Sequence, residues 1–208
     1  MSHDGGTHHD HDEITHSSEP AAAARVRALA ELLVEKGVLE PEEIRARMDW
    51  LASRTPADGA RLVARAWIDE DFKRRLLDDA RSAALEVGVD PGPSPVVVAL
   101  ENTPTTHHLV VCTLCSCYPK SLLGAPPEWY KSLAYRSRAV SDPRGVLREF
   151  GTTLDDGVEI RVVDSTADVR YLVVPARPPG TSDLDEPALA ALVTRDSMIG
   201  VSRPLAPA

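Results

Sequence analysis

Residues 110–119 read Val-Val-Cys-Thr-Leu-Cys-Ser-Cys-Tyr-Pro, and this run holds all three cysteines of the chain, Cys112, Cys115 and Cys117. Three thiols within six positions are a ligand set for one metal ion. A disulfide is the poorer reading, because the count is odd and neighbours so close in sequence make a strained staple. The spacing of Cys115 and Cys117 matters most. An ion held by both sulfurs lies against the peptide amides of Ser116 and Cys117, which become ligands themselves if they lose their protons. One six-membered and two five-membered chelate rings then place four donors in a plane. Cys112 can bring its sulfur beneath that plane as a fifth ligand and leave the opposite face open to water or substrate.

The donor set also bears on which metal it would hold. Zinc prefers four tetrahedral side-chain ligands, and His107 or His108 would have to complete a Cys3His site. That alternative makes the chain a non-catalytic zinc-binding interaction module. A planar thiolate and amide array instead suits trivalent cobalt or iron, since geometry rather than raw affinity selects the metal.

The flanking segments carry a resemblance. ENTPTTHH (101–108), LGAPPEWYKSLAYRSRAVSDPRGVLREFG (123–151), VEIRVVDSTADVRY (158–171), PARPPGT (175–181) and LVTRDSMIGV (192–201) accompany the cysteine run. Together they resemble the α subunit of nitrile hydratase and its relative, the γ subunit of thiocyanate hydrolase, over most of residues 22–202. The resemblance implies an α+β fold, a layered α/β domain with an N-terminal helical arm. It implies one Co(III) per chain, with Fe(III) as the alternative, held by Cys112, Cys115, Cys117 and the amides of Ser116 and Cys117. Thr113 and Tyr118 match cobalt-type members. Cys115 is expected as a sulfinic acid and Cys117 as a sulfenic acid whose oxygen is a candidate nucleophile, so Cys115, Ser116 and Cys117 form the catalytic set. Such oxidation is ordinarily damage, whereas the resemblance implies that it is maturation. The implied reaction is hydration of a nitrile to its amide, and the alternative is hydrolysis of thiocyanate to carbonyl sulfide and ammonia. The implied partners are one or two β-subunit chains, in αβ heterodimers or higher oligomers, and a metal-insertion accessory protein.

One departure concerns substrate. Most nitrile hydratases of this type carry Trp-Pro after the Tyr-Pro, where this chain has Lys120-Ser121. Lys120 either points to solvent, as most lysines do, or makes the pocket wider and more polar, fit for an anion or a bulky heteroaromatic nitrile. Glu101 and Asp164 are candidates to orient ligands or hold water, with loop or turn geometry as the plainer role for each. His107 reads as a structural histidine and His108 as the more exposed of the two. Arg136, Arg138 and Arg144 read as donors for subunit salt bridges.

At 208 residues the chain is long enough for one core and an appendage. Its net charge of -9 excludes the basic footprint of a nucleic-acid binder. No apolar run approaches the roughly 20 residues that span a bilayer, and no signal-like stretch follows the start. The expectation is therefore a cytoplasmic enzyme subunit without membrane or nucleic-acid partners. Aromatic residues are only 4% of the chain, which points to a substrate pocket completed by another chain.

Residues 1–20 form a polar tail that holds five of the seven histidines, His3, His8, His9, His11 and His16. Composition predicts disorder there, either loosely metal-capturing or merely solvated. Residues 21–90 predict a helical arm that embraces a partner subunit or packs on its own domain. One helix runs from Ala21 to Gly37, one from Pro41 to before Pro56, and a third from about Asp69 to Val87. The stretch Pro91-Gly-Pro-Ser-Pro95 is a stiff linker, and residues 91–208 form the metal-binding α/β domain. Within it Val96–Leu100 and Leu109–Val111 predict strands. Helices follow Pro127 and Pro143, Val158–Val163 and Val169–Val174 look like a hairpin, and a short helix near Leu189 closes the chain.

Overall fold

The computed structural model describes residues 19–92, 96–115 and 117–207. The histidine-rich tail, Pro93 to Pro95 of the linker and Ser116 lie outside the described residues. The chain divides into two units, Met1–Met48 and Asp49–Ala208. The first carries α1 (Glu19–Glu35) and most of α2 (Pro41–Ala52). Pro41 occupies the first helical turn of α2, where its missing N–H costs nothing. Val26, Leu29 and Met48 are exposed on these helices.

The first helix wholly within the second unit is one that the periodicity did not reveal, α3 (Pro56–Ile68). Its start is fixed locally. The Thr55 hydroxyl accepts the N–H of Ala57 at 3.3 Å, and the Asp58 carboxylate accepts that of Thr55 at 3.5 Å. Leu62, Val63 and Ala66 bury one face of α3. The single helix expected from Asp69 to Val87 is two, α4 (Glu70–Asp78) and α5 (Ala80–Glu86). Asp79 interrupts it. Its backbone leaves the helical region, and its carboxylate accepts the N–H groups of Arg81 and Ser82, capping a new helix. Both helices still bury one side, through Phe72 and Leu76 in α4 and Ala80, Ala83 and Ala84 in α5.

β1 (Val96–Glu101) and β2 (Thr106–Val111) follow, then α6 (Lys120–Leu123), α7 (Glu128–Lys131), α8 (Leu133–Ser141) and α9 (Pro143–Glu149). α7 and α8 are separate because Ser132 takes an extended backbone and its hydroxyl caps α8 through the N–H of Tyr135. The remaining elements are β3 (Glu159–Asp164), β4 (Val169–Val174), α10 (Glu186–Leu192) and α11 (Arg195–Ile199).

β3 and β4 do not form the expected hairpin. β1 pairs with β4 and β2 with β3, both parallel, with Val96 opposite Val169 and Thr106 opposite Glu159. Parallel pairing requires long crossovers, which α6–α9 provide between β2 and β3. β2 is buried along nearly its whole length, as a parallel strand covered on both faces must be. Leu109, Val110 and Val111 lie in one core with Leu172, Val173 and Met198. Each such fully buried aliphatic side chain contributes about 1.5–3 kcal/mol. α3, α4 and α5 bury their apolar faces in this same core, so for these helices the own-domain outcome is the one realised.

Two glycines mark close approaches. A Cβ on Gly59 would meet Leu123 Cδ2 and Met198 Sδ, each at 2.8 Å. Gly200 caps α11 at a φ of 89°, and a side chain there would collide with the main chain of His108 in β2.

Candidate metal centre

β2 delivers the cysteines. The carbonyl of Val111 accepts the N–H of Ser165 at 2.7 Å. The chain then leaves the ladder and turns at Cys112. Cys112 is buried, Cys115 exposed and Cys117 half-buried. The N–H of Cys115 reaches back to Cys112 Sγ at 3.2 Å. Cys112 and Cys115 sulfurs are 3.4 Å apart, Cys115 and Cys117 sulfurs 3.1 Å, and all three lie within 4.8 Å of one another.

These separations test whether one ion fits. For a metal–sulfur bond of about 2.3 Å, two sulfurs at a right angle are about 3.3 Å apart and two in a tetrahedron about 3.8 Å apart. The Cys112–Cys115 and Cys115–Cys117 separations agree with right-angled ligands, and a soft thiolate set suits a transition metal. Burial, followed by the hydrogen bond with Cys115, pushes the Cys117 thiol up to about 12. A thiol so placed gives up its proton when a cation takes its place.

The loop is gripped through its main chain. Tyr130 donates its hydroxyl to the carbonyl of Cys117 at 2.9 Å, and Tyr135 donates to that of Val110 at 2.6 Å. Burial holds both phenols well above their ordinary range, so they stay neutral donors. Arg136 donates Nε to the Cys112 carbonyl at 3.0 Å and Nη2 to that of Thr113 at 2.6 Å. Asp164 accepts the N–H of Thr113 at 3.0 Å and also its hydroxyl. Tyr118, Trp129, Tyr130, Tyr135 and Phe150 form an edge-to-face aromatic cluster that supports these donors, with Tyr118 and Tyr130 ring centres 5.1 Å apart.

Of the other residues singled out in the sequence, Asp164 therefore joins the loop. Glu101 pairs with Lys73 at 2.9 Å, tying the end of β1 to α4. Lys120 is exposed at the start of α6, three positions beyond Cys117. The proposed ligand Ser116 lies outside the described residues. His108 is only marginally more exposed than His107, at 8% against 6%, and both are buried. The Asn102 amide explains why. Its oxygen accepts the main-chain N–H of His108 at 2.7 Å and lies 3.2 Å from Nδ1 of that ring. Its nitrogen faces Nδ1 of His107 at 3.2 Å, whose Nε2 meets the Gly200 carbonyl at 2.7 Å. Arg136, Arg138 and Arg144 satisfy themselves within the chain. Arg138 pairs with Glu149 at 2.6 Å, and Arg144 donates to the carbonyl of Val158 at 2.8 Å. A cavity of about 410 Å³ opens beside His107, Leu154 and Arg177, and no cysteine lines it.

Residues 20–202 match the family model described as "Nitrile hydratase, alpha chain". The chain belongs to the nitrile hydratase α-chain family. Among related members, the α subunit of the low-molecular-weight cobalt-containing nitrile hydratase of Rhodococcus rhodochrous is 54% identical over 191 residues, covering 91% of this chain and 92% of that one. A recombinant thiocyanate hydrolase structure with partially modified cobalt centres superposes with a TM-score of 0.83 at 43% identity, covering 88% of this chain and 89% of that one. A histidine double mutant of the Fe-type nitrile hydratase from Comamonas testosteroni Ni1 superposes with a TM-score of 0.81 at 42% identity, covering 91% and 93%. The family thus spans cobalt and iron members and two reactions. Among the described residues no helix is long and apolar enough to cross a membrane.

Proposed function

We propose that this chain is the metal-binding catalytic subunit of a cobalt nitrile hydratase, which hydrates a nitrile to its amide. The observation that carries the reading is the cluster of Cys112, Cys115 and Cys117 sulfurs on one braced loop, two of whose separations suit right-angled ligands of a single ion. The ligand set comprises these sulfurs and the amides of Ser116 and Cys117. Bound there, cobalt supplies a Lewis acid toward a nitrile nitrogen. Buried Cys112 anchors the set from the core side. Cys115 and Cys117 are the more accessible sulfurs and, with dioxygen as the oxidant, take up the sulfinic and sulfenic oxygens, the sulfenic one a candidate nucleophile. The exposed apolar residues Val26, Leu29 and Met48 belong to a contact with a β subunit, consistent with the α-subunit name of the Rhodococcus relative.

Lys120 favours a second reading of the same site, thiocyanate hydrolysis. Its exposed ammonium stands three residues beyond Cys117 and suits an anionic substrate. The test is co-expression with the partner subunits, followed by assays for amide from simple nitriles and for sulfur-containing products from thiocyanate. Intact mass should show three added oxygens and near-stoichiometric cobalt. Unmodified thiols with zinc would refute both readings in favour of an interaction module.

A further inference from the structure

The carbonyls of two consecutive residues, Cys112 and Thr113, accept from one guanidinium. In an extended strand consecutive carbonyls point to opposite sides. A planar fork that takes both from one direction therefore holds the chain turned where β2 ends. That turn brings the N–H of Cys115 back onto Cys112 Sγ at 3.2 Å and sets these two sulfurs 3.4 Å apart. The guanidinium is itself well placed. Arg136 is half-buried on α8, and its neighbour Tyr135 ties that helix to β2 through the Val110 carbonyl. Tyr130 holds the other end of the loop at the Cys117 carbonyl.

We propose that Arg136 is a positioning residue of the metal centre, bending the Cys112–Thr113 segment so that the three sulfurs converge before an ion arrives. The proposal rests on the metal-binding reading above. Arg136 acts through the main chain and touches no sulfur-bound atom of the reaction. Its effect is therefore on capture and retention of the ion and on maturation of the cysteines.

The experiment compares the wild-type chain with Arg136→Gln and Arg136→Lys, each purified as the complex with its partner subunits. Co(II) is titrated into metal-free protein, the loaded protein is matured with dioxygen as the oxidant, oxygens on the cysteine peptide are counted by mass, and thermal unfolding is followed in parallel. Arg136→Gln should lose roughly ten- to a hundredfold in cobalt affinity, the usual cost of removing a group that orients ligands. It should lose its added oxygens while melting within a few degrees of wild type. Arg136→Lys, keeping the charge and one donor, should recover part of both. A folded Arg136→Gln that binds and matures like wild type overturns the proposal. If that variant does not fold, undiminished affinity in a folded Arg136→Lys overturns it equally. Failure of the wild-type complex itself to bind cobalt overturns the metal-binding reading instead.

Discussion

Asp164 accepts two hydrogen bonds from Thr113, one from its main-chain N–H at 3.0 Å and one from its hydroxyl. The strand register brings this about, since Asp164 ends β3 directly opposite Val111, the last residue of β2. Arg136 takes the carbonyl of the same threonine. Thr113 is thus held between an anion and a cation, one residue beyond the first candidate ligand.

Asp164→Asn should leave the fold in place and loosen the site. The amide keeps the shape of the carboxylate but offers one acceptor where two are used. Loss of one hydrogen bond at this exposed position costs about 1 kcal/mol or less, a melting shift of a few degrees. Turnover and cobalt retention during dialysis against a chelator should fall roughly tenfold. Wild-type retention with normal turnover would show that the Thr113 contact is irrelevant to the centre.

Cys115→Ala and Cys117→Ala should each abolish turnover in a chain that still folds. Cys115 is exposed and Cys117 half-buried, so neither contributes much to packing. Cys112 lies at 1% exposure, and Cys112→Ala should lower the melting temperature as well. Circular dichroism melts beside amide production separate the two effects, and activity surviving in either of the first two variants would refute the assignment.

The cysteine cluster was legible because its ligands are contiguous, so spacing alone restricts their geometry. Of its braces, Asp164 was a candidate to orient ligands, while Arg136 read only as a donor to another subunit. Arg136 lies 23 positions from Thr113 and Asp164 lies 51 away, and only the strand register and the seating of α8 bring them together. Pro41 and Pro143 announced helix starts through chemistry confined to one residue. Asp79 interrupts a run whose apolar spacing continues across the break, through Phe72, Leu76, Ala80 and Ala84, and periodicity therefore reads two helices as one. Thr55 and Asp58 did spell a capping box before α3, but Pro56 equally ends a helix. For β3 and β4, alternation identifies strands without naming their partners.

Acid should destabilise the second unit through His107 and His108. Burial, in each case the largest cause, holds both imidazoles below their ordinary value of 6.5. The unfolded chain binds protons near that value while the folded chain resists them. Their contribution to stability is thus fully present above about pH 6.5 and is lost as pH falls through it, by up to about 1.4 kcal/mol per pH unit for each ring. Melting temperature measured from pH 8 to pH 5 should therefore drop, and His107→Gln should flatten the slope. An equal slope in the variant would place the titrating group elsewhere.

Lys120→Gln should separate the two substrate readings. The substitution removes the charge of an exposed side chain at the start of α6 while keeping much of its length, so the fold and the cysteine loop are left alone. If an anion is drawn to the site by this ammonium, kcat/KM for thiocyanate should fall about tenfold in the variant. The wild-type value should also fall with added salt, because charges at an exposed site are screened over about 10 Å at 0.1 M ionic strength. A neutral nitrile carries no net charge to steer, and its kcat/KM should change little on either count. Equal losses for both substrates would mean that Lys120 shapes the loop rather than the electrostatics, and a thiocyanate activity indifferent to both charge and salt would remove the reason for preferring an anion at this centre.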